Sequence, residues 1–447
     1  MRFIPHTEDD VARMLRAIGV PSVDALFASI PEKQRLDRPL AIPAAVSEQE
    51  VLAELAGLAA RNANAESHGW FLGAGTYAHF VPSAIDALAS RAEFSTSYTP
   101  YQPEVSQGTL QAIFEWQSMI CALTGLEVAN ASLYDGASAT AEAALMAMRL
   151  TRRSKVVLSA GIHPHTREVL RTYLDGLGGE LASAPRGADG RTAGLAGCVD
   201  DATACVILQQ PAFLGAIEDV RAAAEAARAH GALLVVTTSE ALSLAFLQAP
   251  GALGADIACG EAQSFGVPMS FGGPHLGFLA ARAAHVRQMP GRLAGQTVDA
   301  RGRRGFVLTL STREQHIRRE RATSNICTNQ GLCLLRATIY LALLGRRGLR
   351  ELARLNHAKA EYAKAQVRRT PGLSLPLAAP TFHEFVVGLP GPAEAALARA
   401  LDAGLVGGLD LASHAPELGP AVLVCTTELA RRPDIDRLLR ALAGSRT

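Results

Sequence analysis

The first part of the chain shows the pattern of short helices that each present one apolar side. Thr7 precedes apolar residues at helical spacing, and Asp10 stands three residues after it, as in a helix-capping box. Ser47 and Glu50 repeat this arrangement before a second amphipathic stretch. These helices carry too few large apolar residues to form a core alone. Residues 1–68 are therefore predicted to be a helical N-terminal extension that packs on another body.

From about Gly108 the pattern changes to short apolar runs that alternate with amphipathic helices, such as Pro164–Leu177 and Ile217–His230. A long Ala-rich helix is predicted between Gly136 and about Arg149. Buried strands that alternate with helices are typical of βαβ units, whose sheet is mainly parallel. The predicted strands are Val156–Ser159, Cys205–Gln209, Leu233–Thr238, Asp256–Cys259 and Leu276–Ala280.

The C-terminal third begins with two helical stretches, about Ile326–Leu344 and Leu349–Val367. A smaller repeat of strand, helix, strand and helix closes the chain at Glu384–Gly388, Ala393–Ala403, Val422–Thr426 and Ile435–Ala443. The chain is therefore predicted to be α/β, with a large, mainly parallel-sheet domain at 69–335. Linking helices and a small α+β domain follow at 336–447.

Composition narrows the function classes. Of the 447 residues 49% are hydrophobic and the net charge is +1, so neither a nucleic acid nor an anionic membrane is expected as a partner. No apolar run is long enough to span a membrane, and the acidic N-terminus does not resemble a signal peptide. The seven cysteines include no CxxC pair, which favours reduced thiols in a cytoplasmic protein. The histidines, including His163 and His165, are interpreted as surface or capping residues, and no metal site is predicted.

Four segments carry candidate chemistry, each with an ordinary alternative. The loop Ser95–Gly108 holds two tyrosines, two glutamines and one glutamate on an extended backbone, which suits a small polar ligand or a plain surface loop. Asp135–Thr140 opens a helix and either binds an anion or only caps the helix. The glycine-rich turn Ser264–His275 is either a cofactor loop or a tight connection. Thr323–Gln330 collects hydroxyls and amides where the linking helix is predicted to start, so these groups either bind a ligand at the positive helix end or simply cap the helix.

Taken together, these segments resemble one family. The run YTPYQPEVSQGTLQAIFEWQSMICALTGLEVANASLYDGASAT, with FLGAGTYAHFVP at Phe71–Pro82 and RERATSNICTNQ at Arg319–Gln330, is similar to the glycine decarboxylase P-protein of the glycine cleavage system. The length matches the N-terminal-half subunit, subunit 1, of forms in which this enzyme is split in two. The resemblance covers nearly the whole chain and implies the type I fold of pyridoxal-phosphate-dependent transferases.

The resemblance also implies a reaction. Glycine is decarboxylated, CO2 is released, and the aminomethyl group passes to the lipoyl arm of the H-protein. Pyridoxal phosphate accepts the electrons left by CO2, and it needs a lysine for its Schiff base and an acid beside its ring nitrogen. In this chain Gln263 stands where the lysine would be, and Thr238 and Ser239 stand near the place of the acid. The four lysines, Lys33, Lys155, Lys359 and Lys364, lie elsewhere in the sequence.

The hypothesis is that this chain completes the site of a lysine-bearing subunit 2, which holds pyridoxal phosphate covalently. In that case this chain alone is inactive, and its partners are subunit 2, the H-protein and glycine. Tyr98, Tyr101, Glu104 and Gln107 would line the glycine or lipoyl side, and Thr323, Ser324 and Asn325 would reach the partner's cofactor phosphate.

Three other interpretations were weighed. The chain is a non-catalytic scaffold that docks the H-protein, or it is a self-sufficient pyridoxal-phosphate decarboxylase, against which the missing lysine argues. A nicotinamide enzyme is disfavoured because no GxGxxG motif with a following acid appears. Self-association of the isolated chain is left open.

Overall fold

The computed structural model describes residues 5–95 and 97–444, and the chain divides into two compact units between Asn62 and Ala63. The first unit contains helices α1 (Glu8–Ile18) and α2 (Glu48–Ala59). Both predicted capping boxes, at Thr7 and at Ser47, are present. None of the described side chains of this unit is buried, so its helices are stabilised by local caps rather than by a core.

The second unit contains the remaining helices and strands, which alternate for most of its length. In chain order they are β1 (Gly69–Trp70), α3 (Ser83–Ala89), α4 (Gln107–Thr124), β2 (Val128–Ala129), α5 (Gly136–Thr151), β3 (Lys155–Leu158), α6 (Pro164–Asp175), β4 (Glu180–Ser183), β5 (Thr203–Gln209), α7 (Val220–Ala229), β6 (Leu233–Thr238), β7 (Ile257–Glu261), β8 (Gly277–Ala281), β9 (Leu293–Val298), β10 (Arg304–Thr309), α8 (Gln315–Arg318), α9 (Gly331–Val367), β11 (Glu384–Gly388), α10 (Ala393–Asp402), β12 (Leu405–Val406), β13 (Leu409–Asp410), β14 (Ala421–Cys425) and α11 (Arg432–Ala443).

A seven-stranded sheet forms the centre of this unit, with the strand order β2-β8-β7-β6-β5-β3-β4. Among the strands described, only β8 runs opposite to the others, so the predicted mainly parallel sheet is confirmed. Helices cover both faces: α4 and α9 pack on one side, and α5 and α6 pack on the other. Burial on both faces explains why β5 and β7 are apolar along nearly their whole length.

The sequence analysis found no strand at β4 and none in the β9–β10 hairpin. No residue of β4 is fully buried, and β9 leaves the core after its first two residues. Neither strand therefore shows the continuous apolar run by which a buried strand is recognised.

A three-stranded antiparallel sheet, β11-β14-β13, forms the C-terminal part together with α10 and α11. The short strand β1 pairs with β12, so the segment around Phe71 packs into this C-terminal core. Whether the boundaries 1–68, 69–335 and 336–447 describe independent domains stays a prediction.

The long helix α9 is two helices that meet at a kink at Gly345, where the prediction also placed a break. The predicted start of the first of them at Ile326 is wrong, because the helix begins only at Gly331. The N-cap residue Gln330 makes no capping hydrogen bond with its side chain. The hydroxyls and amides before Gln330 therefore do not serve as the helix cap that the ordinary interpretation assumed.

Replacing Gly345 by alanine is expected to lower the free energy of unfolding by about 1–3 kcal/mol. Gly345 has φ 59° and ψ −177°, a conformation that only glycine adopts without strain. Gly348 in the same helix provides the matched control. A Cβ there meets only Leu344, at 3.4 Å, so Gly348→Ala is expected to be neutral or to stabilise by up to about 1 kcal/mol. Denaturant midpoints measure both changes, and equal midpoints for the two variants would contradict this reading of the kink.

Candidate functional site

The candidate site lies at the carboxyl edge of the central sheet, where β3, β5, β6 and β7 end. Ligands of open α/β sheets bind outside this edge. Polar side chains follow these strands, and they are nearly all buried: Gln209, Glu240, Glu261 and Gln263 are each no more than 7% exposed. The contacts of each of these groups determine what the site can bind.

Gln263, two residues beyond β7, is 3% exposed and fully hydrogen bonded. Its Oε1 accepts from the Tyr77 N–H at 3.1 Å, and its Nε2 donates to the Tyr77 carbonyl at 3.2 Å and to the Val267 carbonyl at 2.6 Å. The carboxamide therefore joins the segment around Tyr77 to the turn after β7. A carboxamide in this position cannot form an imine, since its nitrogen is not nucleophilic.

Glu261, the last residue of β7, accepts hydrogen bonds from three backbone N–H groups. Its Oε2 accepts from Gly136 at 2.9 Å, and its Oε1 accepts from Gln263 at 3.0 Å and from Leu276 at 2.8 Å. Glycine at position 136 permits this approach, because a Cβ there would lie 2.8 Å from the Glu261 nitrogen. The carboxylate thus lies at the positive end of α5.

The start of α5 has an ordinary capping box. The Oδ1 of Asp135 accepts from the Ser138 N–H at 2.6 Å, and the Oγ of Ser138 accepts from the Asp135 N–H at 3.2 Å. Of the two alternatives for Asp135–Thr140, capping is the one that the structure contains. Two carboxylates, those of Asp135 and Glu261, therefore accept hydrogen bonds from the N–H groups of this helix turn.

Glu240, two residues after β6, is the centre of a buried ion-pair cluster. Its Oε2 lies 3.0 Å from His79 Nε2 and 3.4 Å from His383 Nε2, and the other ring nitrogen of His79 lies 2.8 Å from Glu428 Oε2. Burial alone would lower the pKa of His79, but Glu240 and Glu428 outweigh this and raise that pKa to about 10. Burial likewise opposes ionisation of Glu240, yet the two histidines hold its pKa far below the usual range. His79 is therefore a buried cation between two carboxylates.

Another buried carboxyl group, that of Glu384, lies beside this cluster. Its Oε1 accepts from the Ala74 N–H at 2.7 Å and its Oε2 accepts from the Tyr77 hydroxyl at 2.7 Å. Burial raises the pKa of both Tyr77 and Glu384. These groups, with His163 and Glu240, surround a cavity of about 10 Å³, which has room for about one water molecule.

The residues present do not fit pyridoxal phosphate. A ligand of that size needs a pocket of roughly 300 Å³ or more, so the cavity of about 10 Å³ is far too small for it. A larger, open cavity of about 980 Å³ is lined by Gln263 and His275, but none of its lining residues is a lysine. Gln263, which is predicted to stand at the place of the lysine, has the oxygen and the nitrogen of its carboxamide hydrogen bonded. The acid nearest to β6, Glu240, is paired with two histidines. The N–H group of Gly136 at the start of α5 donates to Glu261. The polar groups described at this edge therefore contact one another, and none of them is a lysine that could hold the cofactor.

The predicted ligand loop lies largely at the surface. Tyr98 is 82% exposed and Tyr101 is 50% exposed. Glu104 is exposed as well, and among the described residues it has no side-chain hydrogen bond. Gln107 is different, because its side chain donates to and accepts from the backbone of Phe306 at 2.8 Å and so joins α4 to β10.

Arg292 brings Tyr101 together with the second predicted segment. Its guanidinium lies 3.3 Å from the Tyr101 hydroxyl, stacks over that ring, and donates to the Cys327 carbonyl at 3.0 Å and to Asn329 Oδ1 at 3.0 Å. It is also paired with Glu314 at 3.4 Å. The loop Thr323–Gln330 is thereby fixed beside Tyr101, although these segments lie about two hundred residues apart.

Of the three residues proposed to reach a partner's phosphate, two are already in local contacts. The Thr323 N–H donates to the Arg313 carbonyl at 2.9 Å, and Ser324 Oγ accepts from the Ile326 N–H at 3.1 Å. Asn325 is exposed. All three line an open cavity of about 1010 Å³ together with Arg149, Arg152 and Arg153, which make this surface basic.

Sequence reasoning missed the ion-pair cluster and Arg292. The interpretation of the histidines as surface or capping residues is right for His163, whose ring accepts from the His165 N–H at the start of α6. It is wrong for His79 and His383, whose side chains are 2% exposed. The partners of His79 lie 161 and 349 residues away, so no local spacing marks them.

The described residues contain neither a cluster of metal ligands nor a membrane-spanning helix. In residues 5–95 and 97–444 no group of three or more His, Cys, Asp or Glu side chains could hold a metal ion. Within the same residues no helix is both long and apolar enough to cross a membrane.

Comparisons with known proteins give one consistent result. A family model described as glycine cleavage system P-protein matches residues 1–442. A protein of Anaeromyxobacter dehalogenans (strain 2CP-C), named "Probable glycine dehydrogenase (decarboxylating) subunit 1", is 58% identical over 96% of this chain and 97% of its own length. A protein of the same name from Rhodospirillum centenum is 52% identical over 99% of both chains.

Solved structures agree with this result. A crystal structure of glycine decarboxylase (P-protein) of the glycine cleavage system, in inhibitor-bound form, superposes with a TM-score of 0.89 and 46% identity over 99% of both chains. Glutamate decarboxylase of Lactobacillus brevis, with a TM-score of 0.68 and 13% identity over 93% of this chain and 97% of its own, shares the fold alone. The predicted type I fold is thereby confirmed.

Replacing His79 by glutamine is expected to lower the free energy of unfolding at pH 7 by about 3–5 kcal/mol, because Glu240 and Glu428 lose the cation between them. The exposed pair of His230 with Asp201 is the control, and His230→Gln should cost less than about 0.5 kcal/mol.

The stability of His79→Gln is also expected to depend on pH less steeply than that of the wild type. The pKa of His79 is raised from 6.5 to about 10, so its contribution to stability is complete below pH 6.5 and is lost as the pH rises through about 10. Urea unfolding between pH 6 and 10 should therefore show a steeper decline in the wild type than in His79→Gln. Parallel curves would disprove the buried imidazolium.

Proposed function

This chain belongs to the glycine cleavage system P-protein family, and we propose that it is the subunit of a split glycine dehydrogenase (decarboxylating) that carries no cofactor of its own. In this proposal a second, lysine-bearing subunit holds pyridoxal phosphate and this chain completes the shared site. The complex decarboxylates glycine and transfers the remaining aminomethyl group to the lipoyl arm of the H-protein.

One observation carries the proposal: Gln263 occupies the end of β7 with every hydrogen bond of its carboxamide made. The four lysines do not compensate for it. Lys155 pairs with Asp200 at 2.7 Å, Lys359 donates to the Glu428 carbonyl, and Lys364 donates to Thr381 at 2.9 Å. Lys33 lies in the first unit. The chemistry named for the relatives therefore requires a lysine from another chain.

The contribution of this chain to the shared site would come from its exposed segments. Tyr98, Tyr101 and Glu104 present two phenols and one carboxylate to solvent, and Arg292 holds Tyr101 in place. Thr323, Ser324 and Asn325 border a basic surface, which suits them for an approach to the phosphate of a cofactor in the partner. Gln107 serves the fold in this proposal, because its side chain is bound to the hairpin.

We place the chain in the cytoplasm. All seven cysteines are free thiols, and six of them are buried or partly buried, which is the pattern expected of reduced cysteines in the cytoplasm.

The first test is reconstitution. The purified chain with added pyridoxal phosphate should show no absorbance of a Schiff base between about 330 and 430 nm and no borohydride-stable adduct, since Gln263 cannot form an imine. Glycine–CO2 exchange should appear only after the lysine-bearing subunit and lipoyl H-protein are added. Exchange by this chain without the second subunit would overturn the proposal.

A second test concerns the exposed loop. In the reconstituted complex, Tyr101→Phe and Glu104→Gln should each lower kcat/KM for glycine–CO2 exchange by about tenfold, the effect of one lost hydrogen bond of about 1.4 kcal/mol. Tyr362→Phe is the control, because the Tyr362 hydroxyl binds Asp436 at 2.9 Å in the C-terminal part. Unchanged kcat/KM in both loop variants would remove this loop from the shared site.

A further inference from the structure

The most densely hydrogen-bonded carboxylate of the sheet edge is Glu261. Its three N–H donors come from three separate segments: the first turn of α5, the turn after β7, and the residue before β8. The side chain is 7% exposed. Three backbone N–H groups from separate segments thus point at one carboxylate, which is the arrangement of an anion-binding site.

The position of this site explains its chemistry. Backbone N–H groups at the start of a helix, aided by the helix dipole, attract anions, and oxyanions such as phosphate bind there in many folds. In this chain the Gly136 N–H at that position donates to Glu261. The imidazole of His275 lies 3.5 Å from the same carboxylate and adds a group that can carry positive charge.

We propose that Glu261 is an internal anion that permanently occupies the oxyanion site at the start of α5, so that the chain folds without any bound oxyanion. Gln263, two residues later, is held by its bonds to Tyr77 and Val267 and lines the neighbouring open cavity of about 980 Å³. Asp135 places a second carboxylate at the same helix turn, which adds repulsion against an incoming anion.

This inference does not depend on the proposed role of the chain in a complex. Glu261 and its donors all belong to this chain, so the test needs no lysine-bearing subunit. Its test can therefore be read separately from the reconstitution experiment.

The experiment measures the melting temperature of the full-length chain in inorganic phosphate and in chloride at equal ionic strength. The wild type should gain little from phosphate, no more than binding to the basic surface at Arg149, Arg152 and Arg153 provides, because the site at the start of α5 is filled. Glu261→Ala should melt lower in chloride, since three buried N–H groups lose their acceptor. Phosphate should then raise its melting temperature by several degrees in a saturable manner, because an anion that binds only the folded state stabilises it.

Glu218 supplies a matched control. It is also 7% exposed, and it accepts hydrogen bonds from the backbone and hydroxyl of a single residue, Thr192. Glu218→Ala should lose stability as well, but phosphate should not restore it, because no helix begins at that carboxylate's donors. Equal rescue of both variants would mean that phosphate acts generally, and the proposal would be wrong.

Two further results would overturn the proposal. One is a phosphate-dependent rise in the melting temperature of the wild type that equals the rise in Glu261→Ala. The other is a Glu261→Ala variant that folds but gains nothing from phosphate. If Glu261→Ala does not fold, Glu261→Gln and Glu218→Gln decide the matter. The amide at position 261 turns an NH2 group toward N–H donors, so Glu261→Gln should lose more stability than Glu218→Gln, and equal losses would refute the internal anion.

Discussion

The carboxyl edge of the central sheet depends on one constraint: each carboxylate buried there must be paired or hydrogen bonded. An unpaired buried charge costs several kcal/mol, which is a large part of the stability of a domain. Glu240, Glu261 and Glu384 meet this requirement in three ways, with histidines, with backbone N–H groups, and with a tyrosine hydroxyl and an N–H group. The partners come from segments far apart in the sequence, so these pairings also fix the N-terminal and C-terminal parts of the second unit against the sheet.

The buried groups of this network are paired with one another, whereas the polar groups of the neighbouring loops are exposed. Inside, Glu240, Glu261 and Glu384 are paired or hydrogen bonded, and the cavity of about 10 Å³ beside Glu240 and Glu384 has room for about one water molecule. Outside, Tyr98 and Asn325 lie at the surface of loops that are themselves held by buried residues. Arg292 illustrates the link, because it is 5% exposed and yet orders both Tyr101 and the loop before α9. A chain built in this way is suited to contribute positioned groups to a site that another chain completes.

The sequence predicted those features that arise from local periodicity. The buried strands of the sheet, the capping boxes at Thr7 and Ser47 and the break near Gly345 each depend on residues within one or two helical turns or on a short apolar run. The resemblance placed Gln263 just after β7, where the structure has it. The contacts of Gln263 could not be predicted, because its partner Tyr77 lies 186 residues away. The pairing of His79 with Glu240 could not be predicted for the same reason, because the two residues lie 161 positions apart and no local pattern marks them.

The network also bears on what a single substitution could change. A lysine at position 263 would remove an acceptor from the Tyr77 N–H, and its ammonium would face the carbonyls of Tyr77 and Val267 without a carboxylate placed to pair with it. Each lost hydrogen bond costs about 1 kcal/mol, and a buried ammonium without a counter-ion tends to lose its proton instead. Glu261 would remain at the start of α5, where its carboxylate accepts the Gly136 N–H. Several side chains that support one another therefore disfavour a cofactor at this edge, and restoring one residue leaves the others in place.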